Sequence, residues 1–179
     1  MSLPERLKPI KVSRITMKAK QELLEQITIK IDNGANENDK ELSSMISSWN
    51  NGVANICQFS DFRDYSSWTS AKEFTRIAFN KVRYIEDLSY EELIGIIDFI
   101  CSSEGKESEQ TYALNLLKAN FDANPSDLIY WPDEWFNNDE VDDLSTEEIA
   151  AYLMEKSNRR LPNAPEVVLK YSIPERVDD

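Results

Sequence analysis

The chain contains no histidine, and that absence removes the commonest general base and the commonest metal ligand. Only four glycines occur in 179 residues, and none of GxxxxGK(S/T), GxGxxG, GxSxG or HExxH is present. A phosphate-cradling loop or a nucleophile elbow therefore has no sequence to build it. The two cysteines, Cys57 and Cys101, stand in no CxxC or other ligand spacing, which leaves neither a disulfide framework nor a thiolate metal site. Each follows an isoleucine (Ile56, Ile100), so both are expected as buried free thiols. No apolar run approaches the roughly 18 residues of a membrane helix. The opening "MSLPERLKPIKV" lacks the apolar core of a secretion signal. The expectation is a cytoplasmic protein that is not an enzyme and carries no cofactor.

What the chain does have is acid, unevenly placed. Net charge is −13. Residues 84–156 hold 19 Asp and Glu against 3 Lys and Arg, whereas residues 1–83 hold 10 acids and 13 bases. Such a field repels nucleic acid and draws basic partners. The acidic pairs Asp133/Glu134, Asp139/Glu140 and Asp142/Asp143 do not spell a calcium loop. "DEWFNNDEVDDL" lacks the central glycine and the alternating ligand spacing, so no metal site is expected.

Helical signals divide the rest. Residues 16–32 put Lys20, Leu24, Ile27 and Ile31 on one stripe, and 36–50 put Leu42, Met45, Ile46 and Trp49 on another. "NG" (33–34) and "NNG" (50–52) end them. "VANICQFSDFRDYSSW" (53–68) reads as irregular. Capping-box spacing opens further helices at Ser70, Ser89 and Ser145, the last two carrying Leu93, Ile96, Ile97, Ile100 and Ile149, Tyr152, Leu153 inward. Another covers about 106–122 with Leu114, Leu117 and Phe121 inward. The Pro-punctuated tail after residue 160 reads as extended, with a possible strand only at 166–171. The fold class expected is all-α, built of short amphipathic helices.

Residues 86–160 resemble the colicin and pyocin immunity proteins, which bind and silence the DNase domains of E-group colicins and S-type pyocins. The resemblance rests on "EDLSYEELIGIIDFICSSEG", a polar-faced helix, "NPSDLIYWPDE", an acidic loop and "LSTEEIAAYLMEKSNRR". Its most specific part is "SDLIYWP", which in the family reads Ser-Asp-Leu-Ile-Tyr-Tyr-Pro. Only Trp131 departs, and the chain is two residues shorter just before Ser126. The match covers about 75 of 179 residues.

This resemblance implies a distorted four-helix bundle over 84–160, whose third helix is one short turn made by the motif. It places the toxin-binding residues shared among members on Asp127, Tyr130, Trp131 and Pro132. It also makes the second helix the selector of the cognate toxin. On that helix Ser108, Thr111, Tyr112, Asn115 and Ala119 lie opposite Leu114, Leu117 and Phe121, with Tyr112 as the aromatic anchor. Glu107, Glu109, Asp133 and Glu134 would steer electrostatically onto a basic nuclease. The partner implied is a bacteriocin nuclease domain, with no nucleic acid and no membrane bound. An acidic DNA mimic or antitoxin-like regulator of another basic protein is the alternative.

Residues 1–83 have no counterpart in the family and read as a second small helical domain. "SDFRDYSSW" (60–68) echoes "SDLIYWPDEW" (126–135), which suggests a degenerate duplicate. Ser60 to Ser70 is shorter than Ser126 to Ser145, so an unrelated helical domain stays open. Residues 161–179 are expected as an extended tail.

Overall fold

The computed structural model describes residues 2–175, and among them every regular element is helical. The helices are α1 (Arg14–Asp32), α2 (Lys40–Asn50), α3 (Phe59–Asp64), α4 (Ala71–Phe79), α5 (Tyr90–Cys101), α6 (Glu107–Asn120), α7 (Pro125–Tyr130), α8 (Pro132–Phe136) and α9 (Thr146–Lys156). They form two compact units. One is Pro9–Lys81; the other runs from Val82 onward and takes in the first residues up to Lys8.

In the Pro9–Lys81 unit, α1 starts where the Ser13 hydroxyl accepts the Thr16 N–H, and α2 where the Asp39 carboxylate accepts that of Leu42. Gly34 and Gly52 stop them at φ values of 96° and 81°, which an L side chain rarely adopts. Leu24, Ile27, Leu42, Trp49, Phe62, Tyr65, Phe74 and Ala78 make the core. Its centre is aromatic: Trp49 meets Phe62 edge-on at 5.0 Å, and Tyr65 stacks on Phe74 at 4.7 Å. Lys20, the one charge on the α1 stripe, donates to the carbonyls of Trp49 (2.5 Å) and Asn51 (2.6 Å) and so caps the end of α2. The Trp49 indole N–H returns a bond to the Lys20 carbonyl at 3.0 Å.

Part of the stretch 53–68 is not irregular. It contains α3 and a single 3₁₀ turn, Tyr65–Ser67. The Asp61 carboxylate accepts the Gln58 N–H at 2.6 Å, and Phe62 is buried among rings. Six residues make too short a window for periodicity to register.

In the unit from Val82, the boxes at Ser89/Glu92 and Ser145/Glu148 both form reciprocal bonds. Leu93, Ile96, Ile97 and Ile100 of α5 pack with Ala113, Leu116 and Leu117 of α6, Leu128 of α7, and Ile149, Tyr152 and Leu153 of α9. Leu3 and Leu7 belong to this core and not to that of the residues following them. Arg6 fixes them there: it forks onto Asp87 at 3.1 Å and bonds both carboxylate oxygens of Glu92. Pro4 lies so close over α5 that a Cβ on Gly95 would sit 3.2 Å from its ring.

The tail packs on this unit as far as residue 175, and the last four residues of the expected 161–179 tail lie outside the described residues. Leu161 is buried, and Leu169, Tyr171 and Ile173 pack against the same core. No strand forms at 166–171. Buried Asn120 closes α6: its oxygen accepts the Ile85 N–H, and its amide donates to Arg83 and Leu116 carbonyls. Arg159 adds bonds to Asn120 and to the Ile85 carbonyl. Its guanidinium lies between the Tyr84 and Phe121 rings.

Candidate protein-binding surface

The motif stretch is built from α7, an elbow and α8. The chain leaves α6 through Phe121 and reaches Asn124 in the left-handed region (φ 46°). Pro125 then opens α7 at its first position, where a missing N–H costs nothing. Leu128, fully buried, anchors the helix. One turn cannot bury all its residues, so Tyr130 and Trp131 stay 49% and 59% exposed. Pro132 disfavours the α conformation in the residue before it, and Trp131 takes φ −140°, ψ 57°. That elbow separates α7 from α8 and keeps two adjacent rings at the surface.

The Asp127 carboxylate accepts the Asn124 side-chain N–H at 2.5 Å, and its carbonyl accepts the Trp131 N–H at 2.8 Å. Asp127 is half-buried, as are Pro132 and Asp133, while Glu134 is exposed. The Tyr130 hydroxyl is held above the usual phenol range by partial burial and by the negative charge of the nearby Cys101 thiolate. Cys101 is exposed and Cys57 half-buried, so neither is the fully buried thiol expected. Cys101 is the last residue of α5, turned away from the neighbouring Ile100 by one helical step. Its nearness to Tyr130 had no signal in sequence spacing.

Behind the elbow, Trp135 donates its indole N–H to the Ala123 carbonyl at 2.8 Å, tying α8 to the start of α7. Phe136 is wedged against Tyr152 (4.7 Å) and Tyr171 (5.4 Å). Two of the three rings of "YWPDEWF" beyond Tyr130 therefore support the turn and one is displayed. Asp139, Glu140, Asp142 and Asp143 are exposed beyond α8, with Val141 buried between them as a pin. Among the described residues no three carboxylates or thiols converge to hold a cation.

The expected outward face of α6 needs correction. Ser108 (2% exposed) and Tyr112 (8%) are buried, so neither is displayed to a partner. The inward stripe is Ser108, Tyr112, Ala113, Leu116, Leu117 and Asn120, with Leu114 only half-buried. Phe121, used to set the helical phase, lies past the helix end in extended backbone (φ −137°), so its burial says nothing about that phase. Burial also pushes the Tyr112 hydroxyl above its ordinary range. Thr111 and Asn115 are half-buried, and Ala119 and Glu107 are exposed. Glu109 is spent on the helix start, accepting the Lys106 N–H at 2.9 Å.

Among the described residues no helix is long and apolar enough to cross a membrane. Comparison with protein-family models, with curated proteins and with solved structures finds no match in any of the three.

Proposed function

We propose that this chain is a bacteriocin immunity protein, which binds the nuclease domain of a colicin- or pyocin-like toxin beside its active site. The observation that carries this reading is the exposed Tyr130–Trp131 pair, held at the end of a six-residue helix in a strongly acidic unit. The order of two longer helices, a Ser-Asp-Leu-Ile turn bearing rings, and a Ser-capped closing helix supports the distorted four-helix bundle that the resemblance implies. Asp127, Tyr130, Trp131 and Pro132 form the shared contact. With Ser108 and Tyr112 buried, selection among toxins falls to Thr111, Asn115 and Ala119 on α6.

The mechanism follows from charge and ring area. A DNase offers a basic surface to the DNA backbone. The carboxylates Glu107, Asp133 and Glu134 with the 139–143 loop steer this unit onto it. The two rings then desolvate at the centre and slow dissociation. DNA is excluded by bulk and by like charge, so no residue here enters the nuclease site.

A degenerate duplication is supported by a similar element order in the N-terminal unit: α1, α2, six-residue α3 with Ser-Asp as its second and third residues, then Ser-capped α4, with a 3₁₀ turn where the C-terminal unit has α8.

The test is DNA cleavage by the nuclease domain of the toxin encoded beside this gene, with the chain added in stoichiometric excess. Cleavage stops under this reading; undiminished cleavage refutes it for that pair and leaves the DNA-mimic alternative. Tyr130→Ala should weaken binding by at least roughly 2 kcal/mol, about thirtyfold in Kd. Wild-type affinity in a folded Tyr130→Ala chain would show that the ring is not the anchor.

A further inference from the structure

The tail after α9 turns at Asn163 (φ 59°) and then alternates in exposure. Val167, Leu169, Tyr171 and Ile173 are half-buried, and Glu166, Val168, Lys170 and Ser172 are exposed. Alternation with period two is the signature of an extended chain lying on a surface. The inner side is well fastened. The Tyr171 N–H donates to the Tyr152 hydroxyl at 2.9 Å, that hydroxyl donates to the Tyr171 carbonyl at 3.3 Å, and Lys156 reaches the Pro174 carbonyl. The outer side is bare. Val168 is 89% exposed, the highest value among the large hydrophobics. From Pro165 to Lys170 no backbone N–H or C=O has a hydrogen-bond partner among the described residues.

An unpaired, extended, partly apolar edge is a template for another strand. We infer that residues 166–170 pair antiparallel with the same residues of a second copy of this chain. The sequence is self-complementary about Val168. In that register Glu166 of one copy faces Lys170 of the other at both ends, and Val168 faces Val168 at the two-fold axis. Roughly six N–H···O=C bonds close across the Glu166, Val168 and Lys170 edge. Lys170 already contacts Glu148 at 2.9 Å, yet 68% of its side chain remains exposed, and its ammonium has donors to spare. The chain bends at Lys170–Tyr171, which limits the pairing to these five residues. This association needs no toxin and stands or falls apart from the immunity reading.

Sedimentation of the full chain over a concentration series decides it. The wild type should pass from monomer to dimer. Val168→Pro removes an N–H that has no partner among the described residues, so the variant should keep its fold by circular dichroism and stay monomeric. Glu166→Lys sets lysine against lysine, and Lys170→Glu sets glutamate against glutamate. Each alone should weaken association at least about tenfold. Mixed, the two variants restore both opposite-charge pairs and should form a heterodimer. A wild type that is monomeric throughout overturns the inference, as does a Val168→Pro or Glu166→Lys chain that dimerises like wild type.

Discussion

The two units put the same Ser-Asp pair, the second and third residues of a six-residue helix, to different use. In α3, Ser60-Asp61 is followed by Phe62, and in α7, Ser126-Asp127 by Leu128; both following residues are buried and anchor a six-residue helix. Two positions beyond the anchor the units part. α7 carries Tyr130 into solvent, whereas α3 carries Asp64, held by Arg63 at 2.6 Å. The ring that follows in the N-terminal unit, Tyr65, is turned inward onto Phe74. Pro132 accounts for much of the contrast. In the C-terminal unit it enforces an elbow that strands Trp131 at the surface. In the N-terminal unit Ser66 stands after Tyr65, and the chain continues through a 3₁₀ turn that swings the ring into the core. A helix start of the same spelling makes a display surface only where the next residues forbid the rings from tucking in.

The largest expected effect attacks what the units share. Phe62→Ala should cost about 3–5 kcal/mol and Leu128→Ala about 2–5 kcal/mol, each read as a urea-midpoint shift of its own unit. A cost below about 1 kcal/mol at either anchor would break the parallel between the two helices. Next comes what divides them. Tyr65→Ala should destabilise by about 3 kcal/mol, while Tyr130→Ala should cost roughly 1 kcal/mol in stability and, under the proposed function, act on toxin affinity instead. Equal stability losses at Tyr65 and Tyr130 would mean that the displayed ring is structural.

Legibility in sequence followed the strength of local signals. The starts at Ser70, Ser89 and Ser145 were readable because a serine with a glutamate three residues on is a fixed spacing; the serine cap forms at all three and the reciprocal box at Ser89 and Ser145. The stops at Gly34 and Gly52 were readable because few residues tolerate their φ. The phase of α6 was not. "TYALNLLKANF" offers apolar residues on two adjoining stripes, and the choice depends on packing from α5 and on Asn120 being buried for its hydrogen bonds. The docking of Leu3, Leu7 and the tail onto the C-terminal core was hidden for a related reason. Neither segment has a period of its own long enough to read, and each is held by contacts far along the chain, such as Arg6 with Glu92 and Tyr171 with Tyr152. Within the surface itself, adjacency on one turn shows that at least one of Tyr130 and Trp131 must be exposed, and both are. That Trp135 faces inward was set by the Ala123 carbonyl it finds.

The smallest effect separates the units by acid. In the C-terminal unit the Glu92 carboxyl is held below its ordinary value, first by Arg6 and then by the Ser89 N–H, against an opposing desolvation. A carboxyl whose folded pKa is depressed stabilises the fold above its unfolded value, near 4.5, and loses that contribution as pH falls through the folded value. In the N-terminal unit Asp64 is lowered in the same direction by Arg63, but both side chains are more than half exposed, so salt screens the pair. Arg6→Ala should therefore shrink the loss of stability of the C-terminal unit between about pH 6 and about pH 3, by an amount that salt also reduces because the Arg6 side chain is 43% exposed. The loss should not vanish, because Ser89 still donates to Glu92 from the helix cap. An acid limb that Arg6→Ala leaves unchanged would assign the sensitivity to the cap alone. Leu3 and Leu7 would then be held to their core by apolar burial rather than by the arginine between them.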